Sequence, residues 1–130
     1  MPIDVGLDLV RVEDVAESLR GDLARRYLER IYTETEVADC TVAGAIDPTR
    51  LAGRFAAKEA TLKVISSGED GIPLDDIEVR PEASGRVHLE LRGRAAEVAA
   101  AAGVQELALS ITHEAGFAAA VVIATRAAGT

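Results

Sequence analysis

The segment FAAAVVIAT at residues 117–125 is apolar on both faces that an extended chain would present. Side chains alternate along a strand, so only a strand with neighbours on either side uses such a pattern well. The segment therefore predicts a central strand, and the fold must be built around a sheet. Other stretches supply the neighbours. Residues 3–12, IDVGLDLVRV, place Ile3, Val5, Leu7 and Leu9 on one side and Asp4, Gly6 and Asp8 on the other, the pattern of a half-buried strand. LALSITH at 107–113 precedes the central segment, with a short connection around Gly116. DIEVR at 76–80 and RVHLEL at 86–91 form a hairpin through PEASG.

Helical signals fill the space between. Val15, Leu19, Leu23, Tyr27 and Ile31 recur at steps of four over residues 13–32, with Gly21 placed to split the run in two. TETE at 33–36 is a capping box: Thr33 caps and Glu36 reaches back, so a short helix follows. Asp47 as N-cap and Pro48 at the first helical position start a long helix that runs to about Ser66, with Leu51, Phe55, Leu62 and Ile65 along its buried side. SSGEDGIP is a glycine-rich loop, and RGRAAEVAAAAG is an alanine-rich helix stopped at Gly103. Strands and helices without regular alternation indicate an α+β fold with a largely antiparallel sheet, in one domain over residues 1–126 and a flexible tail at 127–130.

Composition narrows what such a domain does. Aromatic residues are 3% of the 130, and Trp is absent, so the core is built from Ala, Val, Leu and Ile, with little material for stacking nucleic-acid bases. A formal charge of -8 argues against a general attraction to nucleic acid or an anionic membrane. The single cysteine, Cys40, excludes an internal disulfide framework and fits a cytoplasmic setting. MPIDVGLDLV lacks the basic-then-apolar order of a signal peptide, and no apolar run reaches membrane-spanning length.

Several residues are candidates for chemistry. Asp8 lies on the polar face of the first strand, two residues from Gly6, whose missing side chain leaves room for something to approach. Glu59 and Lys63 share a helix face; taken alone they suit a surface ion pair worth about 0.3–0.5 kcal/mol. With a second carboxylate from elsewhere, Glu59 instead suits Mg²⁺, a hard cation that takes few protein oxygens and completes its shell with water and phosphate. His113 ends a strand on the same face as Leu109 and Ile111, a position that serves packing as readily as binding. His88 reads as a solvated strand residue, and Cys40 as a packing residue.

The order and combination of these features carry more. GLDLV at 6–10, LAGRFAAKEATLK at 51–63, DIEVR at 76–80, and SITHE followed by AAAVVIA across 110–124 resemble the small, single-domain 4′-phosphopantetheinyl transferases, the holo-acyl-carrier-protein synthases. The resemblance runs from end to end, with RFAAKEA its most specific part. It implies the fold of that family and transfer of phosphopantetheine from coenzyme A to a serine of an apo carrier protein, releasing adenosine 3′,5′-bisphosphate. It also implies Mg²⁺ on Asp8 and Glu59, Lys63 beside the transferred phosphate, and Arg54, Lys58 and His113 against the phosphate or adenine groups of coenzyme A. Ser66, Ser67 and Gly68 would wrap the nucleotide. A homotrimer with coenzyme A between neighbours is implied as well.

Two departures from the family pattern stand out. The loop SSGEDG is more acidic than the common loop, which implies a weaker grip on the nucleotide. The first helix begins VEDVAES, with Glu13, Asp14 and Glu17 where basic residues often face an acidic carrier. Arg11, Arg20, Arg25, Arg26 and Arg30 form an alternative docking patch further on. Beside the transferase stand two other readings: a binding module of the same fold without catalysis, and a structural trimer in which Glu59 and Lys63 are a surface pair.

Overall fold

The structure, a computed structural model, describes residues 2–128. Its main sheet has three antiparallel strands in the order β1 (Ile3–Arg11), β7 (Phe117–Arg126), β6 (Val104–Glu114), so the all-apolar segment is central as expected. Helices α1 (Val12–Arg20) and α2 (Ala24–Ile31) are separated at Gly21, and α3 (Glu34–Asp39) follows. Thr33 and Glu36 form the expected capping box in full. A two-residue-strand hairpin, β2 (Thr41–Val42) and β3 (Ala45–Ile46), leads into α4 (Pro48–Ile65). Asp47 caps α4 by accepting from the Thr49 amide at 2.9 Å, and Pro48 opens its first turn. A 3-10 turn at Leu74–Asp76 precedes the hairpin of β4 (Ile77–Pro81) and β5 (Val87–Leu91), and α5 (Gly93–Ala101) returns the chain to β6. The Ala127 amide is tied to the Gly103 carbonyl at 2.8 Å, while Gly129 and Thr130 lie outside the described residues.

Helix α4 is the centre of the molecule. It packs across the sheet on β1 and β7, with β6, β4, α1 and α3 around it. Its residues toward these neighbours are small: Ala52, Gly53, Ala56, Ala57 and Ala60 are buried, and β7 answers with buried Ala118, Ala120, Val122 and Ala124. Small side chains on both surfaces let helix and sheet approach closely. At Gly6 the approach is complete: a Cβ there would lie 2.2 Å from the Ala60 carbonyl oxygen and 3.1 Å from Val64 Cγ1. What the missing Gly6 side chain admits is the backbone of α4.

This contact inverts the expectation for the first strand. The face of β1 turned to α4 carries Asp4, Gly6, Asp8 and Val10. The alternate residues Ile3, Val5, Leu7 and Leu9 point away and are 61–64% exposed. Across the register, Val5 pairs with Ile123 and Leu7 with Val121, so β7 extends the same outward apolar face, and Phe117 and Ile123 on it are each 40% exposed. The central strand is thus central in its sheet, yet only one of its faces is covered within the chain. α4 likewise departs from a simple two-sided helix. Leu51 and Ile65 are buried as expected, Phe55 and Leu62 only partly, and buried residues occur all round its circumference. Among the described residues no helix is long and apolar enough to cross a membrane.

The Gly6 contact gives a sharp test. Gly6→Ala forces a methyl group into a backbone carbonyl that cannot swing aside, and should cost about 3 kcal/mol or more in urea unfolding. Gly21→Ala, at a position with negative φ and only one neighbouring atom, at 3.9 Å, should stay within about 0.5 kcal/mol. A Gly6→Ala protein as stable as Gly21→Ala would contradict the packing described.

Candidate functional site

Asp8 stands two residues beyond Gly6 on the α4 side of β1, and Glu59 directly precedes Ala60 on α4. The Gly6–Ala60 contact therefore sets the two carboxylates beside each other, and both line one cleft of about 400 Å³ with Arg11, Asp14, Ser18, Tyr27 and Phe55. Lys63, one turn past Glu59, donates to the Leu7 carbonyl at 2.6 Å and to Asp8 Oδ1 at 3.3 Å. The Glu59–Lys63 pair of the sequence is thus a three-membered group that includes Asp8. Partial burial, then the Asp8 charge, pushes the Glu59 carboxyl above its ordinary range, with Lys63 opposing. A carboxylate held up by burial and by a second carboxylate beside it suits a divalent cation. Among the described residues no group of three or more His, Cys, Asp or Glu is placed to hold a metal ion. The pair alone fits Mg²⁺, which needs only one or two protein carboxylates when water and phosphate complete its shell; it does not fit a closed structural metal site.

From Glu59 a second cleft runs along Lys63, Ser66, Ser67, Gly68, Gly71 and Ile72. The expected nucleotide loop and the carboxylates are thereby continuous. Arg54 and His113 lie elsewhere. Arg54 lines a separate cleft with Arg86, His88 and strand residues Leu107–Ile111, and its Nε is buried with no hydrogen-bond partner among the described residues. His113 is exposed at the end of edge strand β6, paired with Ala118. Within one chain, then, Arg54 and His113 are not gathered with Asp8 and Glu59. Arg86 beside Arg54 escaped the sequence reading, because a lone arginine in a hairpin turn has no local signature and its partner is more than thirty residues away.

Lys58 requires a correction. Read from the sequence as a coenzyme A contact, it is fully buried, 2.7 Å from Glu36 Oε1, and donates to the backbone carbonyls of Leu74 (3.0 Å) and Ile77. Those three acceptors use all the donors of an ammonium group, leaving none for a ligand. Burial pulls Lys58 below the usual lysine range, and Glu36 opposes the shift. Glu36 Oε2 also accepts the Val79 amide at 2.8 Å, and the Thr33 hydroxyl bonds to Glu78. Burial works to raise Glu78, but Thr33, Arg92 and Arg80 outweigh it and hold its carboxyl low. This network locks α3, α4 and β4 together. Cys40 is a packing residue as expected: it is fully buried, and burial pushes its thiol up to about 11, so it stays protonated at neutral pH. His88 contacts Glu82 at 3.1 Å on the hairpin surface.

Of the arginines, Arg20 is paired with Glu13 at 2.9 Å, while Arg11 borders the carboxylate cleft. Arg25 and Arg26 are both exposed but line different grooves, the first with Thr33, Glu34 and Asp76, the second with Tyr27, Arg30 and Ile72–Asp75.

Comparison with known proteins identifies the family. A family model described as the 4′-phosphopantetheinyl transferase superfamily matches residues 4–122. The chain belongs to that superfamily. A holo-acyl-carrier-protein synthase of Koribacter versatilis is 40% identical over 127 residues, covering 95% of this chain and 98% of the relative. Among solved structures, the ACPS–CoA complex of Chronobacterium ammoniagenes matches with a TM-score of 0.81 and 32% identity, covering 98% of this chain and 100% of that one. The Helicobacter pylori holo-acyl-carrier-protein synthase in complex with coenzyme A matches at 0.79 and 26% identity, covering 94% and 100%. The α+β fold of this transferase family is therefore the fold of the chain.

The Glu59 environment predicts a pH effect on stability. A folded-state pKa above the unfolded one gives stability that is complete below the ordinary glutamate value of 4.5 and lost as pH rises through the folded value. At pH 7 without divalent cations, ionised Glu59 thus costs stability. Glu59→Gln should melt about 1–2 °C higher than wild type at pH 7 and no higher near pH 4. A Glu59→Gln protein that melts lower at pH 7 would contradict the repulsion between the carboxylates.

Proposed function

We propose that this chain is a holo-acyl-carrier-protein synthase: it transfers 4′-phosphopantetheine from coenzyme A to a serine of an apo carrier protein and releases adenosine 3′,5′-bisphosphate. The observation that carries the reading is the meeting of Asp8, Glu59 and Lys63 at one cleft, in a chain whose relatives over nearly its whole length are named synthases. The solved relatives in complex with coenzyme A support it as the substrate.

In this reading Asp8 and Glu59 hold Mg²⁺, whose contribution when bound is to neutralise the diphosphate of coenzyme A. Lys63 leaves Asp8 and balances charge on the phosphate that departs. The serine oxygen forms the new bond to phosphorus as the diphosphate P–O bond breaks. Glu59, a carboxylate of the same cleft, accepts the serine proton. Ser66, Ser67 and Gly68 border the same cleft and receive the nucleotide.

The outward apolar face of β1 and β7 is the contact surface of a homotrimer. A row formed by Val5, Leu7, Val121 and Ile123 is a larger apolar surface than a monomer gains from leaving in water. Assembly also gives Arg54, Arg86 and His113 a role, since a neighbour's copy of them would bring two guanidinium groups and an imidazole to the coenzyme A cleft. The carrier docks on the arginine side of α1 and α2, with Arg11 nearest the carboxylates and Arg20, Arg25 and Arg26 beyond. The location is the cytoplasm.

Intact-mass spectrometry of apo carrier proteins incubated with the chain, coenzyme A and Mg²⁺ tests the activity. The expected result is a gain of one phosphopantetheine, lost with EDTA and slowed at least ~100-fold by Asp8→Ala. Binding of coenzyme A without transfer to any carrier would instead indicate a binding module. In the same assay, Arg25→Glu with Arg26→Glu should slow transfer and flatten its salt dependence; unchanged rates would remove the docking site.

Light scattering tests the assembly. Wild type should have the mass of three chains, and Val5→Lys with Ile123→Lys should give folded single chains. A monomeric wild type would overturn the trimer.

A further inference from the structure

The cleft beyond Lys63 is bordered by a loop whose donors already have an acceptor. Asp70 turns back into the loop: its Oδ2 accepts the Ser66 hydroxyl at 2.8 Å and lies 3.3 Å from the Ser67 amide as a second acceptor contact. Ser66 Oγ in turn accepts the Gly68 amide at 3.0 Å. These hydrogen bonds, the hydroxyl first and the amide second, hold the Asp70 carboxyl below the ordinary range, so it carries full negative charge at neutral pH. A hydroxyl and an amide converging on one anionic oxygen form the kind of cradle that receives phosphate.

We propose that Asp70 is an intramolecular stand-in for an anionic group of the nucleotide: it occupies the Ser66–Ser67 donors in the free protein and must vacate them for coenzyme A to bind. This rests on the synthase reading above and names a determinant of affinity within it. Three features of the structure carry it. Ser66, Ser67 and Gly68 line the cleft that Glu59 and Lys63 also border, so the occupied donors belong to the same cavity as the carboxylates. The contact is made by a side chain, whereas the Asp70 backbone is anchored separately, its carbonyl accepting from Arg94 Nε at 3.2 Å. Rotation of the Asp70 side chain alone therefore releases the donors, and the loop backbone keeps its place. Finally, a carboxylate and a phosphate compete for the same charge-assisted bonds and repel each other when both are near, so Asp70 opposes the nucleotide whether it stays or leaves.

The cost is a reduction of apparent affinity by the fraction of molecules in which the donors are free. Donors occupied most of the time give a roughly three- to tenfold weaker complex than an open loop would form. A carboxylate that merely braced the loop would do the opposite, since its removal would disorder the cradle and weaken binding.

Isothermal titration with coenzyme A on the full chain decides between these. Asp70→Ala should bind coenzyme A roughly three- to tenfold more tightly than wild type, and the gain should shrink at high salt. Asp70→Asn, which keeps an acceptor oxygen but no charge, should fall between the two. Binding by wild type that is unchanged or weakened in Asp70→Ala would overturn the stand-in role and leave the synthase reading intact. Failure of wild type and both variants to bind coenzyme A would overturn the synthase reading, and this inference with it.

Discussion

The contact between the bare backbone of Gly6 and the carbonyl of Ala60 sets the distance between the first strand and the central helix. Much else follows from it. With no side chain between them, β1 and α4 lie close enough for Asp8 and Glu59, each a residue or two from the contact, to share one cleft. The alanines of α4 and of β7 extend the same close approach across the sheet. A core of larger side chains would be easier to fill but would hold helix and strand further apart, and the carboxylates with them. The cost is modest burial per residue, since each alanine removes little apolar area from water. In the proposed homotrimer, the outward apolar face of the sheet would add buried area that the interior does not provide.

Helix α4 carries two adjacent charged residues with opposite fates. Lys58 turns inward to Glu36 and the carbonyls at Leu74 and Ile77, and Glu59 turns to the cleft. The inward pair is costly to break: a buried ion pair that loses one partner typically destabilises by about 3–5 kcal/mol, because the other charge is left stranded. It also fixes the rotation of the helix about its axis. Once Lys58 is locked to α3 and to the start of β4, Glu59 has no freedom to face elsewhere. The network beneath the helix thereby positions the carboxylate above it, and Lys58 contributes to the site through structure.

Local signals in the sequence were enough for most of the elements. The capping box at Thr33 and Glu36, the Asp47–Pro48 start, the break at Gly21 and the central place of residues 117–125 each rest on chemistry within a few residues, and the structure has them all. Which way a face points is not a local matter. Ile3, Val5, Leu7 and Leu9 form a clean apolar row, and a single chain would be expected to bury it; α4 instead takes the side with Gly6, where its backbone fits. The inward turn of Lys58, which the family resemblance sets against coenzyme A, is hidden for a related reason. A helix buried nearly all round has no amphipathic pattern to say which of its charges is inside. Asp8, Glu59 and Lys63, which the family pattern singles out from distant parts of the chain, do lie together. That pattern gave no hint of Arg86, and it marked the acidic loop without showing that Asp70 turns back onto Ser66 and Ser67.

The central claim is that Asp8 and Glu59 together form a divalent-cation site. Electron paramagnetic resonance of Mn²⁺, titrated into the chain with coenzyme A present, counts that site directly. The account predicts one bound ion per chain, with Asp8→Asn and Glu59→Gln each abolishing it. Retention of full affinity in either variant would contradict the account.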